Sequence, residues 1–534
     1  MKRCFGLIIT FCALLSGSPL LADTPRDTLV MAHAIDDIIT LDPAEIFEFA
    51  GAEYAGNVYD RLIGYDLEDV AKIYGAAAES WSIAEDDKTY TFKMRPGVTF
   101  ASGNPMTAED AAFSLQRVIL LNQSPAFILG QFGFTPENVN QRIRAVDPMT
   151  LVLATDRAYA PTFLLYCLTA TVGSVVDKKE VMAHEQSGDL GHAWLRNHYA
   201  GSGPFRLRQW KPNEALVLDR HDSYWGGAPA LQRVVIRHIL EPATQRLLLE
   251  KGDIDIARKL GPDQLAGLQD NPDIRIRRGE KGALYYLGLN QKNEFLAKPQ
   301  VRQALKQLVD YQGIANTIMK DRAIIHQAFV PRGFLGALTE TPFGLEVDKA
   351  RALLAEAGLP DGFRISMDTR NSAEIMEMAQ SIQATFAMAG VKLDLIPGDN
   401  KQILTKYRAR HHDTVLLRWG SDYQDPHANA DTFASNPDNA DDAKVKTLAW
   451  RNAWDIPELT RKTQAAVLER DPTQRAQRYR ELQREHQQTS PFVILFQDIE
   501  VIAERRNVQG FVIGPAFDAN RYAGVTKEQA QGNR

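Results

Sequence analysis

Arg233-Val234-Val235-Ile236-Arg237-His238-Ile239-Leu240 is followed by Pro242 through Gly252, and then by Ile254-Asp255-Ile256. The first run is rich in β-branched residues and reads as a strand. Proline at the first helical position and glycine just past the last one frame a short helix. Strand, helix and strand in that order predict a parallel crossover, and with it an α/β fold. Upstream, Thr28 to Ala32 reads as an apolar strand and Thr150 to Ala154 as another. Thr89 to Met94 alternates Tyr90, Phe92 and Met94 against polar neighbours, and Arg95-Pro96-Gly97 turns it towards an expected partner strand, Val98 to Phe100. Thr107 with Asp110 three residues on is close to a capping box for a helix carrying Ala111, Leu115 and Val118. Gly201-Ser202-Gly203-Pro204 turns into a strand that Ala215 to Leu218 can pair.

Downstream the pattern restarts at Leu284 to Asn290. Pro299 opens a helix, Asp348 caps another that stops at Gly358, and Arg364 to Asp368 and Val391 to Leu395 flank a helix from Ala373 to Ala389. Asp471-Pro472 starts a helix through Leu482, and Pro491 to Gln497 reads as the final apolar strand. Leu284 to Asn290 and Phe492 to Gln497 thus bracket a lobe that the chain enters once and leaves once. Two such strands suit a hinge, and a cleft between lobes is the expected ligand site.

At 534 residues the chain exceeds what one compact core accommodates, so two or three domains are expected. Met1 to Ala22 stands apart from the rest. Lys2 and Arg3 precede the apolar run Phe5 to Leu15, and Ser16-Gly17-Ser18-Pro19 with Ala22 follow it, the order of a secretory signal peptide. The run is too short to span a bilayer comfortably, and no other stretch is long and apolar enough to do so. Residues 1–22 are therefore expected to be removed on export. Losing Lys2 and Arg3 leaves 59 basic residues against 67 acidic ones, a net charge of −8. An acidic chain with no basic stripe argues against nucleic acid as a partner. Cys4 and Cys12 go with the signal, so Cys167 has no internal disulfide partner, and its apolar neighbours make it a buried packing residue.

The sequence holds no Gly-x-Ser-x-Gly elbow, His-Glu-x-x-His pair, phosphate loop or dinucleotide fingerprint. No cofactor and no metal are expected. His411-His412-Asp413 comes nearest to a ligand cluster, but adjacent histidines point in different directions, so a solvated polar edge is the expectation. This composition leans towards a binding protein, with an exported enzyme as the alternative of a different class.

The candidate site lies in Leu416-Leu417-Arg418-Trp419-Gly420-Ser421-Asp422-Tyr423-Gln424-Asp425-Pro426. A short strand, Val415 to Leu417, runs into aromatic and acidic residues stopped by proline, and loops leaving a rigid strand make recognition surfaces. Asp422 between Trp419 and Tyr423 suits a cationic ligand group held in an aromatic wall. The same residues also read as a capped strand end whose tryptophan fills the core. Arg418 either balances Asp422 or faces solvent.

Several stretches resemble the solute-binding proteins of ABC transporters, in the family of dipeptide- and oligopeptide-binding proteins. The most specific are Ala78-Glu79-Ser80-Trp81, Asp87 to Phe92, Arg95 to Phe100 and Thr107-Ala108-Glu109-Asp110. Leu41-Asp42-Pro43-Ala44, Tyr59-Asp60-Arg61-Leu62, Gly201 to Phe205, Tyr224-Trp225 and Gly252 to Asp255 agree. The resemblance implies a helix end at residues 78–81, then a hairpin and a capped helix. It implies a periplasmic-binding-protein-like fold, two lobes around a hinged cleft with an inserted domain. The expected parts are a discontinuous first domain (23–60, 185–282 and 496–534), an insert at 61–184 and a second ligand-binding lobe at 283–495. It implies a periplasmic monomer that delivers short peptides to inner-membrane permease subunits with their ATPases. In peptide-binding members an acid in a Trp-x-x-Asp stretch holds the ligand's α-ammonium, a role that falls to Asp422 of Trp419-Gly420-Ser421-Asp422. Arg370, between the strand at 364–368 and the following helix, is the candidate for the ligand carboxylate, or equally a solvated turn residue. Trp419 and Tyr423 are candidate pocket walls. Relatives of this family also take opine-like or polyamine-like cations, oligosaccharides, haem or nickel chelates, which remain alternative ligands.

Overall fold

The computed structural model describes residues 24–67, 70 and 72–528, so the expected signal peptide, Met1 to Ala22, lies outside the described residues. One large mixed sheet organises them. From one edge its strands are Lys392–Gly398, Arg364–Arg370, Thr414–Gly420, Ile274–Leu289, Phe492–Arg505, Ile256–Ala257, Thr28–His33, Arg233–His238, Ala215–Arg220 and Phe205–Lys211. Ala323–Ile325 pairs with Phe492–Arg505 off this path.

The crossover that decided the fold class is present. Arg233–His238 and Ile256–Ala257 both pair parallel to Thr28–His33, and the helix Pro242–Lys251 connects them. Gly252 closes that helix in the left-handed region at φ 81°, where a side chain would be strained.

Ile274–Leu289 and Phe492–Arg505 pair antiparallel along most of their length and carry the sheet from one half of the molecule to the other. Both extend well past the apolar runs read from sequence, and Pro491 to Gln497 is not the final strand, since Val508–Gln509 and Thr526–Lys527 follow. Their outer halves are charged. Arg275 and Arg277 both pair with buried Glu504, at 2.6 and 3.3 Å, so this charge is neutralised across the ladder. The pairing is irregular between Glu280 and Leu284, around Gly282.

A separate four-stranded sheet has the order Ala78–Ile83, Thr89–Met94, Thr150–Ala154, Ile143–Asp147. Ala78-Glu79-Ser80-Trp81 is therefore strand, not the expected helix end, with Trp81 opposite Phe92. Val98 to Phe100 does not become a partner strand. Gly97 and Gly103 at φ 77° and 90° fold it into a tight loop, in which Met106 N–H donates to Val98 O. The helix Ala108–Leu121 begins at the expected capping box, Thr107 N–H donating to Asp110 Oδ2 at 2.8 Å.

Two smaller corrections concern end groups. Glu346, not Asp348, occupies the cap position of the helix Val347–Glu356, and Asp348 sits in its first turn. The expected solvated edge at His411 to Asp413 holds only for His411. His412 is 3% exposed, shares a hydrogen bond with Asn452 at 3.1 Å and is pushed by burial to a pKa of about 4. Asp413 accepts from Ser366 and Asn293. Cys167 is buried and free, as expected.

Several residues that carried the resemblance pack the fold. Buried Asp60 accepts from Ser202 Oγ at 2.8 Å, Trp225 Nε1 at 3.0 Å and Tyr224 Oη at 3.2 Å. Asp42 takes both terminal nitrogens of Arg117. A Cβ on Gly201 or Gly203 would collide with the backbone of Val58, so that turn needs glycine. Among the described residues no group of His, Cys, Asp and Glu is arranged to hold a metal, and no helix is long and apolar enough to cross a membrane.

Candidate functional site

The strand Thr414–Gly420 runs antiparallel to Ile274–Leu289, with Trp419 opposite Leu284 and Gly420 opposite Ala283. Trp419 therefore belongs to the ladder, and the loop begins only after Gly420. Strand alternation sends Leu416 and Arg418 to one face and Leu417 and Trp419 to the other. Gly420 leaves room for two rings: a Cβ there would lie 2.9 Å from Phe517 and 3.3 Å from Phe49. Ser421 then ties the loop to Gly282 through its N–H at 2.9 Å, and its Oγ donates to Asn429 Oδ1 at 2.7 Å. Asp425 ends it by capping the helix Pro426–Ala434, accepting the His427 N–H at 2.9 Å. The loop is held at both ends, and Asp422 projects from its middle.

Asp422 faces a cavity of about 70 Å³ whose wall is assembled from distant stretches, 46–49, 169–172, 420–424 and 516–518, together with Tyr65 and Ile128. The wall is largely apolar. Its charged members are three acids, Glu48, Asp422 and Asp518, with no Lys or Arg. Asp518 is already neutralised by Arg61. Asp422 has no hydrogen-bond or ion-pair partner among the described residues. Burial raises its pKa to about 7, with Arg451 pulling weakly the other way. Glu48 accepts from the N–H of its neighbour Phe47, at 3.2 Å, and meets its own backbone N–H, and burial raises its pKa too.

Arg418 neither balances Asp422 nor faces solvent. It forms an ion pair with Asp498 and lies over the rings of Phe49 and Phe517, at 5.2 and 5.0 Å. Those two rings stack at 3.8 Å. The arginine thus braces the aromatic side of the cavity from behind.

The four residues singled out from sequence separate into two pairs. Asp422 and Tyr423 both line the cavity, Tyr423 buried with its ring 6.0 Å from Phe163. Trp419 is partly buried, edge-on to Phe433 at 5.6 Å, and lies outside the cavity wall. Arg370 is the last residue of the strand Arg364–Arg370, beside Gly398, and it too lies outside the wall. It is partly buried and its Nε has no partner; burial first, and Arg418 second, lower its pKa. Glu48, Phe49, Tyr65, Gln424 and Phe517 were missed. Gln424 sat inside the quoted stretch, whereas the others carry no local signal and meet only through the fold. Chemically, a base-free cavity with unmatched carboxylates suits a ligand that brings positive charge and N–H donors.

The family model described as bacterial extracellular solute-binding proteins, family 5, middle part, matches residues 72–441. A probable D,D-dipeptide-binding periplasmic protein of Escherichia coli K12 is 27% identical over 97% of this chain and 98% of its own length. Among solved structures, the dipeptide-binding protein of Pseudoalteromonas sp. SM9913 in complex with Met-Leu superposes with a TM-score of 0.79 at 21% identity, covering 94% of this chain and all of that one. A Campylobacter jejuni protein in complex with Ni(L-His) gives a TM-score of 0.78 at 19% identity, with 94% and 100% coverage. At such identities the structures establish the fold, a mixed α/β periplasmic-binding-protein architecture, and leave the ligand open.

Proposed function

The chain belongs to family 5 of the bacterial extracellular solute-binding proteins, and on that premise we propose that it captures short peptides by their free amino terminus. Asp422 holds the α-ammonium, Tyr423 forms part of the wall, Trp419 stiffens the strand behind it, and Arg370 is the candidate for the ligand carboxylate. The observation that carries this reading is the Asp422 carboxylate, unpaired among the described residues, in a cavity walled by four distant stretches of the chain. A relative named for D,D-dipeptides and a fold neighbour bound to Met-Leu support a peptide ligand. The Ni(L-His) complex keeps a non-peptide ligand on the same fold as the alternative.

In this reading residues 1–22 direct export to the periplasm. A lobe at 283–495 closes across the cleft from a first domain formed by 23–60, 185–282 and 496–534, within which residues 61–184 are inserted. Closure on ligand requires that the ligand bind the closed state better, which contacts from both sides of the cleft provide. The closed complex then docks on an inner-membrane permease pair, whose ATPases supply the energy. A thermal-shift screen with di- to pentapeptides tests the reading. Ligand at about 100 times its dissociation constant adds about 2.7 kcal/mol of stability. Absence of a shift with every peptide would sink the proposal.

A further inference from the structure

The cavity holds a second carboxylate that the α-ammonium does not use. We infer that Glu48 is a second charge anchor, and that the preferred ligand carries two cationic groups, either a peptide with a basic first residue or a diamine. The inference rests on taking this cavity as the ligand cleft. Glu48 occupies the cap position of the helix Phe49–Val58, yet its side chain makes no cap hydrogen bond, and its carboxylate meets only nearby backbone N–H groups and no cation. Asp37 and Glu45 add to the negative field around it. Asp422 reaches the same cavity from the opposite half of the large sheet. With Asp518 paired to Arg61, Glu48 and Asp422 are the two acids of the wall without a cation.

Two further wall groups point to a donor-rich occupant. Tyr65 and Gln424 are 4% and 5% exposed, and Tyr65 Oη and Gln424 Oε1 have no hydrogen-bond partner. A buried acceptor left unmatched is costly, and one or two ammonium groups supply the N–H donors it lacks. A ligand that pairs with both carboxylates also bridges the two sides of the cleft, so the second charge favours the closed form.

The test is calorimetric titration of the full mature chain with Lys-Ala, with norleucyl-Ala, which lacks only the side-chain ammonium, and with 1,5-diaminopentane. Lys-Ala is expected to bind about tenfold or more tighter than norleucyl-Ala. Glu48→Gln should bring that ratio to about one while changing norleucyl-Ala affinity less than about twofold. Equal affinities in the wild type, or a preference that survives Glu48→Gln, would overturn the inference and leave the peptide reading standing. Tight, Glu48-dependent binding of the diamine with neither peptide bound would support the inference and end the peptide reading. Binding of none of the three probes would overturn it.

Discussion

Asp422 and Asp425 leave the same strand in the same loop, and the fold treats them in opposite ways. Asp425 is 0% exposed, with both oxygens taken by Arg475 at 2.7 and 2.8 Å and the His427 N–H at 2.9 Å. Asp422 keeps contact with a cavity and has no hydrogen-bond or ion-pair partner among the described residues. Depth of burial therefore does not separate the acid proposed to hold the ligand from the one that holds the fold. What separates them is hydrogen-bonding capacity that the protein leaves unmet. A buried charge with a bidentate partner is settled, and losing one side is severe. A carboxylate with no partner destabilises the ligand-free state, and that cost is recovered only when a cation arrives.

The contrast breaks first at Asp425. Asp425→Ala should lower stability by roughly 5 kcal/mol, since it strands the Arg475 guanidinium and uncaps a helix. A loss below about 1 kcal/mol in chemical denaturation would mean the two acids are not different in kind. Asp422→Ala should spare the fold yet weaken binding of a free-amine peptide by about 4 kcal/mol, close to a thousandfold in Kd. N-acetylation of the same peptide should weaken binding to the wild-type protein comparably. An unchanged Kd in the variant would reduce Asp422 to a turn residue.

The smallest effect is on the ligand-free protein. The Asp422 carboxyl is raised from 3.8 to about 7 in the fold, so the unfolded chain ionises first as pH rises. Stability contributed by this group is therefore full below about pH 4, falls through the interval up to pH 7, and is lowest above it. Asp422→Asn should raise stability by about 2 kcal/mol at pH 8 and by much less at pH 5. Thermal melts of both proteins at the two pH values check this, and an equal gap at both would contradict the assignment. Ammonium binding has the matching sign: it strengthens as pH rises through 7, because only the ionised carboxylate attracts the cation.

The legible parts of this protein are those written in local pattern. The Arg233 to Ile256 crossover, the Thr107–Asp110 box and the helix from Ala373 to Ala389 all follow from signals over short stretches of chain. The errors arose where a distant residue decides. The two long strands extend past the apolar runs read from sequence because the charges of their outer halves pair with each other across more than 200 positions. Val98 to Phe100 looks like strand because an apolar run says nothing about the left-handed glycines on either side. Arg418 was ambiguous until the fold set it beside Asp498 and two phenylalanines.

By itself, the sequence determined the fold class, the expected export and Asp422 as the residue to watch, because periodicity, caps and one motif act over short range. The tertiary structure alone decided which of two neighbouring aspartates is neutralised, that Arg370 and Trp419 stand outside the cavity, and that Glu48, Tyr65 and Gln424 stand within it. Those outcomes depend on which charges and ring faces meet from residues 48 to 517, and on how far each is shielded from water. No local spacing encodes that.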